Sequence, residues 1–404
     1  MTFRIFRTIF LPIFGSSILV FSGMTSAFAQ TDAPLQFSGF SRLIAGYLDE
    51  SDATYLGYDD SLSLDRQSLI GLHVDYQFLD NLSVTGQFVG KTGTKRGSEI
   101  DWLYLTYEPT RATQIKLGKQ RTPFFNYSDS IDVGFAYPWI TLPQQVYSSV
   151  LFPTFDGVLG NYQWSGKEIG FELEGYWGSY DDGIFTSGRK VSAEVSDLRG
   201  LIAKANYDNW AFRASMHFAD ANIGLTELNE FSSVLNQFGF TQSAESLNPN
   251  GSVDFYQISA SYENLDYFFR AEATQNLAQR SPIPDIRGYF LAAGYNYYPF
   301  VSYISFGENR SEYGSTANEI PIGINPQLDA LAFGYQSIFS SLPGFSSKSF
   351  TVGTRWDFKS NLALKAEVTW TEVAEDSDAN FVVLDKTNFD RKAALYQLAL
   401  EWVF

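Results

Sequence analysis

The chain has 404 residues and a formal net charge of −17, with 28 basic against 45 acidic side chains and no cysteine. This acidic balance argues against a nucleic-acid partner, because phosphate backbones are bound by clustered Lys and Arg. The lack of cysteine excludes disulfides, thiolate metal sites and cysteine nucleophiles. Aromatic residues make up 17% of the chain and charged residues only 18%, a balance that disfavours an ordinary soluble domain.

Residues 1–29 are predicted to be a secretory signal peptide. Arg4 and Arg7 precede an apolar run, and Ala27-Phe28-Ala29 supplies the small-residue cleavage pattern. Proline, glycine and serine interrupt the run, which disfavours the alternative of a membrane anchor. We therefore expect an exported protein whose mature chain, residues 30–404, forms one domain without spanning helices.

The mature chain alternates between apolar and polar residues with a period of two, in blocks of about ten residues, the span of a tilted membrane strand. The block 362–370 puts Leu, Leu, Ala, Val and Trp on one face and Ala, Lys, Glu and Thr on the other. Blocks 210–218, 289–297 and 350–358 alternate in the same way. A half-buried soluble strand shows the same pattern, so the connections between blocks decide the architecture.

The connections fall into two classes. Seven are short and turn-like, near residues 79–81, 109–111, 165–167, 208–209, 263–264, 298–299 and 360–361. Eight are polar and, apart from the second, longer: 50–65, 94–97, 122–155, 178–198, 220–252, 276–285, 308–344 and 374–391. This segregation predicts an all-β, transmembrane antiparallel barrel of 16 strands with long extracellular loops. Eighteen strands is the alternative, if the stretch 328–339 pairs as further strand.

The last block carries apolar or aromatic residues at alternate positions, namely Tyr396, Leu398, Leu400, Trp402 and Phe404. This resembles the terminal signature that the barrel-assembly machinery reads in bacterial outer-membrane proteins. With the architecture and the opening strand at Ser38-Gly39-Phe40-Ser41-Arg42, it resembles the sixteen-stranded, trimeric porins of Gram-negative bacteria. The resemblance implies a homotrimer in the outer membrane, in contact with lipid and lipopolysaccharide. It also implies a water-filled channel for passive diffusion of small hydrophilic solutes and ions.

In that family the third outer loop folds into the lumen and narrows it. The third long connection here, residues 122–155, contains many aromatic residues that would be costly to leave in water. Folding inward would bury them and bring Asp129 and Asp132 toward the pore. The alternatives are a trimer contact or a lid. The loop departs from the family in lacking a Pro-Glu-Phe-Gly-Gly stretch.

Charged side chains on the stripe opposite the apolar one are expected to face the lumen, because lipid and lumen positions alternate. The predicted pore-lining residues are Arg42, Lys116, Lys204, Arg213, Arg270, Arg355, Asp129 and Asp132. Further lumen candidates are His73, Asp75, Glu172, Glu174, His217, Glu272, Arg287, Asp357, Lys365 and Glu367. Facing charges of opposite sign would orient polar solutes at a constriction. The alternative is ion pairs along the wall, joining Lys365 to Glu367 or Arg270 to Glu272.

Other functions remain open alongside general diffusion. A channel selective for a dicarboxylate, phosphate or sugar is the main alternative, followed by an outer-membrane enzyme and a structural or adhesion barrel. An enzyme would have only His73 and His217 as imidazole bases, and we predict neither a catalytic site nor a cofactor. The outer-loop carboxylate pairs Asp59-Asp60 and Asp181-Asp182 offer oxygen ligands through which Ca²⁺ or Mg²⁺ would bridge to lipopolysaccharide; solvated loops are the alternative.

Overall fold

A computed structural model describes residues 34–93, 98–149, 152–186, 189–279, 281–342 and 344–404. The predicted signal peptide, residues 1–29, and the brief second connection, residues 94–97, lie outside the described residues. Within the described part of the chain, no helix is both long and apolar enough to cross a bilayer.

The described residues contain eighteen strands and four α-helices. The strands are β1 Leu35–Leu48, β2 Ala53–Tyr55, β3 Leu69–Leu79, β4 Leu82–Lys91, β5 Glu99–Thr110, β6 Thr113–Arg121, β7 Thr154–Ser165, β8 Ile169–Thr186, β9 Arg189–Tyr207, β10 Trp210–Ile223, β11 Gly251–Glu263, β12 Tyr267–Ala278, β13 Asp285–Tyr297, β14 Phe300–Glu312, β15 Ser347–Lys359, β16 Leu362–Val373, β17 Phe381–Val383 and β18 Lys392–Val403. The helices are α1 Gln144–Tyr147, α2 Thr226–Gln237, α3 Thr241–Ser246 and α4 Pro326–Ser340.

Sixteen of the strands close one antiparallel barrel, as predicted. Each pairs with its neighbours in chain order, and β1 closes the ring on β18, with Leu43 opposite Leu400. The short strands β2 and β17 stand apart and pair with each other. All seven predicted turns join consecutive barrel strands at one end, so the long connections lie at the other end. By the usual arrangement of such barrels, the long-loop end is extracellular.

The period-two alternation assigns the two faces of the barrel wall. On β16, Leu364 is 40% exposed on the outward face, whereas the neighbouring Lys365 is 1% exposed inside. Outward aromatic residues pair across strands, and Phe350 of β15 stacks on Trp370 of β16 with ring centroids 6.1 Å apart. An outward face of this kind is stable against lipid, while the inward face carries the charges.

Two long connections differ from the prediction. Residues 178–198 were expected to form a polar loop, but β8 and β9 continue to pair beyond a bulge after Gly178. Val191, Val195 and Ile184 are β-branched and favour the extended hairpin. The stretch 328–339 lies in helix α4 and not in a strand. Asn325 caps this helix by accepting a hydrogen bond from the Leu328 N–H (2.9 Å), and Pro326 starts it. The eighteen-strand alternative is therefore wrong.

The extracellular connections are packed against one another. Helices α2, α3 and α4 share a small apolar core that includes Leu235, Ala244, Ala332 and Tyr335. The β2–β17 pair joins the first and last long connections, with Tyr55 and Phe381 in ring contact at 4.6 Å. These contacts hold the extracellular end together but leave the interior of the barrel to another segment.

Candidate functional site

Residues 122–153 connect β6 to β7 and are called here the inner loop; its described residues, 122–149 and 152–153, occupy the interior of the barrel. Its aromatic side chains are buried against the barrel wall, and Trp139 is 0% exposed. The Trp139 ring lies 5.9 Å from the rings of both Phe290 on β13 and Tyr303 on β14, measured between centroids. The prediction that this loop folds inward is therefore confirmed. The reason is that these aromatic residues find an apolar surface only on the inner wall.

A buried lysine fixes the middle of the inner loop. The Lys365 Nζ of β16 donates to the backbone carbonyls of Gly134 (2.7 Å), Tyr137 (2.8 Å) and Trp139 (2.8 Å). Its closest carboxylate is Glu401 of β18, at 3.7 Å. The alternative of a wall ion pair between Lys365 and Glu367 is wrong, because the loop carbonyls take the ammonium donors.

Two buried glutamates accept hydrogen bonds from the inner loop, whereas Lys365 donates them. Glu367 accepts from the N–H groups of Ile140 (2.8 Å) and Thr141 (3.3 Å). Glu272 of β12 accepts from the Asn126 N–H (2.9 Å) and the Tyr147 hydroxyl (2.6 Å). The alternative of a wall ion pair between Arg270 and Glu272 is also wrong, because Arg270 pairs with Glu263. These carboxylates satisfy loop groups that would otherwise be buried without partners.

Arginines of the wall anchor further loop carbonyls. Arg213 of β10 donates to the carbonyls of Pro123 and Phe124, Arg42 of β1 to that of Ile140 (2.5 Å), and Arg355 of β15 to that of Phe135 (2.6 Å). Arg270 donates to the Tyr127 hydroxyl (2.6 Å) and pairs with Glu263 at 3.0 Å. These four arginines, predicted to line the pore, all face inward, and each of them contacts the inner loop.

Asp132 anchors the loop near its origin. It pairs with Arg121 at 2.7 Å and with Lys91 of β4 at 3.3 Å, and Arg121 also pairs with the fully buried Asp101 of β5. The structure therefore places Asp132 in a buried ion-pair cluster. Sequence reasoning missed Asp101 and Lys91. Their positions could have indicated the cluster, because Lys91 ends β4, Asp101 lies near the start of β5 and Arg121 ends β6, all at the long-loop end of the barrel.

A second set of charges lies on the wall from β6 to β9, where Asp129 of the inner loop remains exposed. Lys116 of β6 and Lys204 of β9 both interact electrostatically with Asp129. Lys204 also pairs with Glu172 at 3.1 Å and with Glu174 on β8. This arrangement places a loop carboxylate near two wall ammonium groups.

One predicted lumen residue, Arg287, lies on the outward face. It shares that face with Tyr289 and Leu291, which are 39% and 54% exposed. The sequence held the signal, because Arg287 is two residues from Tyr289 and strand faces repeat every second residue. The prediction that Arg287 lines the lumen is therefore wrong.

Both histidines face inward, as predicted. His217 is 1% exposed beneath the ring of Phe124, and its two ring nitrogens contact the Tyr176 hydroxyl (2.7 Å) and the Ser215 hydroxyl (2.8 Å). His73 lies 2.9 Å from Asp75. The buried position of His217 makes it part of the packing beneath the inner loop.

The alternating residues of the last strand lie on the outward face, where Tyr396, Leu398, Leu400 and Trp402 are each at least 40% exposed. The ring of Phe404 contacts that of Trp402 with centroids 4.4 Å apart, and Phe404 exchanges backbone hydrogen bonds with Gly39 (2.7 and 2.9 Å). A Cβ atom at position 39 would lie 2.5 Å from the Phe404 ring, so glycine is required for this approach.

Comparison with known proteins identifies the fold by structure alone. No family model and no curated protein sequence matches the chain. The structure matches OmpTΔL8, a loop deletion mutant of the Vibrio cholerae outer membrane protein OmpT, with a TM-score of 0.56 and 14% identity over 92% of this chain and 99% of that one. It matches Salmonella typhi OmpF, solved with daunomycin, with a TM-score of 0.57 and 10% identity over 92% and 97% of the two chains.

The anion-selective porin from Comamonas acidovorans aligns with a TM-score of 0.53 and 12% identity, over 92% of this chain and 99% of that chain. The three matches share the closed barrel with this chain. At identities this low they support a common fold, and no site residue is transferred from them. The chain therefore has the fold of the outer-membrane porins, a closed sixteen-stranded antiparallel barrel.

Proposed function

We propose that the barrel is a channel for passive diffusion of small hydrophilic solutes and ions, and that solutes pass between Asp129 and the wall from β6 to β9. The observation that carries this proposal is the asymmetry of the inner loop. Apart from Arg121 at the end of β6, the polar partners that hold the loop lie on β1, β4, β10, β12, β15, β16 and β18. The charges of Lys116 and Lys204 lie near Asp129 on the wall from β6 to β9. A polar solute would be oriented by the field between these groups.

The charge balance of this passage predicts a preference for cations. Two lysines, Lys116 and Lys204, stand against three carboxylates, Asp129, Glu172 and Glu174. The carboxylates outnumber the lysines, so the local potential is negative. A negative ring at a constriction attracts cations and repels anions. Predicted pore-lining residues that anchor the loop would shape this passage rather than touch the solute.

Asp129→Asn is therefore expected to reduce cation preference, and Lys204→Gln to increase it. The measurement is the reversal potential of single channels in a planar bilayer under a salt gradient. Glu372→Gln is the matched control, because Glu372 is an outward carboxylate, 60% exposed, on β16. Equal reversal potentials for wild type and Asp129→Asn would remove Asp129 from the conduction path, and channel activity with no ion preference would contradict the charge argument.

A selective channel for a dicarboxylate or a phosphate is the second candidate. The observation that favours it is the proximity of Lys116 and Lys204, which interact electrostatically with each other. Two neighbouring ammonium groups would bind a dianion. Saturable block of the ion current by succinate or inorganic phosphate, lost in Lys116→Gln, would select this candidate, whereas proportional currents without block support general diffusion.

We propose transport rather than catalysis for this barrel. The support is the burial of His217 under Phe124, which keeps solutes from its ring nitrogens.

We also propose that residues 1–29 direct export and that the alternating terminal residues from Tyr396 to Phe404 are read during barrel assembly. Divalent cations bound by outer-loop carboxylates remain a proposal. Asp59 supports it, since hydrogen bonds from Ser61 lower the pKa of this carboxyl and keep it ionised.

A homotrimer is proposed from the outward face of β5 and β6. Ile100, Leu103, Leu105, Ile115 and Leu117 make this face aliphatic along most of its height, and each is at least 37% exposed in the single chain. Most other parts of the wall present aromatic residues toward lipid. Tyr107 is the one exposed ring on this face of the described β5 and β6 residues, at 44% exposure near the turn, and the aliphatic stretch above it suits packing against a second barrel.

Replacing Leu105 and Leu117 by arginine is expected to convert trimers to monomers, because two charges would be buried in the subunit contact. Native mass spectrometry of the detergent-solubilised protein measures the subunit number. Leu291→Arg with Phe306→Arg, on the outward face of β13 and β14, is the control that should leave the trimer intact. Trimers that survive the first pair of changes would place the contact elsewhere.

A further inference from the structure

Two aromatic side chains lie on the lumen face of β5, and neither was among the residues predicted to line the lumen. Trp102 is directly opposite Gln87 in the pairing of β5 with β4. Tyr104 is opposite Thr85 in the same pairing. Gln87 and Thr85 are buried inside the barrel, whereas Leu103, between the two rings, is 52% exposed on the outward face. Because strand faces repeat every second residue, both rings face inward, and both remain partly exposed.

The two rings form one apolar surface on the wall. Their centroids lie 6.3 Å apart, with the ring planes tilted by 43°. The His73 ring of β3 meets that of Trp102 edge to face, with centroids 5.7 Å apart. On the other side, the Lys116 Nζ of β6 lies 5.1 Å from the centroid of the Tyr104 ring. Neighbours on both sides of β5 therefore hold the two rings in place.

Charged groups of both signs border this aromatic surface. Tyr104 interacts electrostatically with Asp75 of β3, with Asp129 of the inner loop and with Lys116. Asp75 accepts a hydrogen bond from the Thr85 hydroxyl (2.5 Å), yet its side chain is 40% exposed. Oxygen lone pairs of this carboxylate are therefore available to a solute in the lumen.

The mixture of signs disfavours an ion as the ligand that is held here. A solute with a net charge is attracted by one of these groups and repelled by another. A neutral solute with many hydroxyl groups gains from all of them, since hydroxyls accept from an ammonium and donate to carboxylates in charge-assisted hydrogen bonds.

The rings add a second requirement for the ligand. Their electron-rich faces attract C–H groups that lie together on a flat surface. A pyranose sugar meets both requirements, because it carries hydroxyl groups around its edge and C–H groups on its face. An open-chain polyol has the hydroxyl groups but no fixed apolar face.

We propose that Trp102 and Tyr104, with Asp75, Lys116 and Asp129 beside them, bind the pyranose ring of a neutral sugar inside the lumen. The inference rests on the proposed function, because Lys116 and Asp129 also border the proposed passage. It names one class of solute that is held on its way through the channel. An organic ammonium ion, attracted by the carboxylates and the ring faces, is the rival ligand.

The first test is block of the ion current by D-glucose in planar bilayers, with sorbitol as the comparison solute. Sorbitol is the open-chain polyol with the same carbon number and lacks the ring face. Glucose should lower the current of the wild type saturably. Sorbitol should lower it only in proportion to the viscosity of the solution.

Three variants locate the block. Trp102→Leu with Tyr104→Leu should raise the half-blocking glucose concentration at least about fivefold, because two stacking surfaces are lost. Tyr104→Phe keeps the ring and should keep most of the block. Tyr289→Leu with Phe306→Leu makes the same kind of change on the outward face of β13 and β14, where these side chains are 39% and 37% exposed, and should leave the block unchanged. Heat-modifiable mobility in gels reports folding, and Tyr104→Leu alone is the milder variant if the leucine pair does not fold.

Saturation-transfer NMR on the detergent-solubilised barrel measures sugar binding without ion flow. The ring protons of glucose should receive saturation from the wild type and less from the leucine pair, while sorbitol should receive little from either. Glucose binding in a barrel that conducts no ions would contradict the proposed channel and leave the sugar site standing. Conductance with neither glucose block nor saturation transfer would overturn the site and leave the channel standing.

Further results would also overturn the sugar site. These are equal block by glucose and sorbitol, an unchanged half-blocking concentration in the leucine pair, and equal weakening in the outward control. Stronger block by tetramethylammonium than by glucose, lost in the leucine pair, would assign the aromatic surface to organic cations instead.

Discussion

Deletion of residues 126–144 is expected to raise the single-channel conductance at least about twofold, because ion flow follows the open cross-section at the constriction. The segment carries Trp139 and the carbonyls bound by Lys365, so its removal clears the centre of the lumen. The ends of the gap are close, since the rings of Phe125 and Tyr147 lie 4.8 Å apart. A short glycine linker can therefore rejoin them. Planar-bilayer recordings measure the conductance.

The deletion uncovers buried charges of the wall, so folding must be controlled. Heat-modifiable mobility in gels and the circular dichroism of the barrel report whether the strands have closed. Trp139→Ala is the milder companion variant, which keeps the loop but removes its buried anchor. A folded deletion variant and a folded Trp139→Ala variant with wild-type conductance would show that the inner loop does not limit the current.

Lys365→Met is expected to destabilise the barrel by about 3–5 kcal/mol, the range seen when one partner of a buried charged network is removed. The variant removes the lysine donor from the carbonyls of Gly134, Tyr137 and Trp139, of which Tyr137 keeps a contact from Arg355, and it leaves Glu401 with one cation fewer. Methionine keeps the side-chain volume, so the loss measures hydrogen bonding and charge. Urea unfolding in lipid vesicles, followed by tryptophan fluorescence, gives the free energy of unfolding.

Two comparisons sharpen this measurement. Lys392→Met removes an exposed lysine, 62% exposed and 3.7 Å from Glu372, and is expected to cost at most about 1 kcal/mol. Lys365→Met combined with Glu401→Gln should recover part of the loss, because the uncompensated carboxylate is gone. If Lys365→Met costs no more than Lys392→Met, the buried lysine is not an anchor of the inner loop.

The sequence predicted the wall of the barrel in detail. Turns such as 79–81 and 360–361 stand where strands reverse, and the face of nearly every charged strand residue follows from its position in the alternation. The failures on the wall were local. The segment 178–198 was predicted to be a loop because it is polar, but its residues continue the paired strands β8 and β9. The stretch 328–339 was considered as a further strand because its apolar residues show no clear period, but it forms helix α4. Arg287 was assigned against the alternation of its own strand.

The partners of the buried charges could not be predicted, because alternation gives the face of a residue but neither its height nor what fills the lumen. Ile140 and Glu367 are hydrogen-bonded although they are 227 positions apart in the chain. The sequence by itself determined a closed barrel of sixteen strands with charged residues inside and a third loop too aromatic for water. The tertiary structure decided that Lys365, Glu367 and Glu272 bind that loop rather than one another. The physical reason is that buried backbone groups of the loop require partners, and only the inward charges of the wall can supply them.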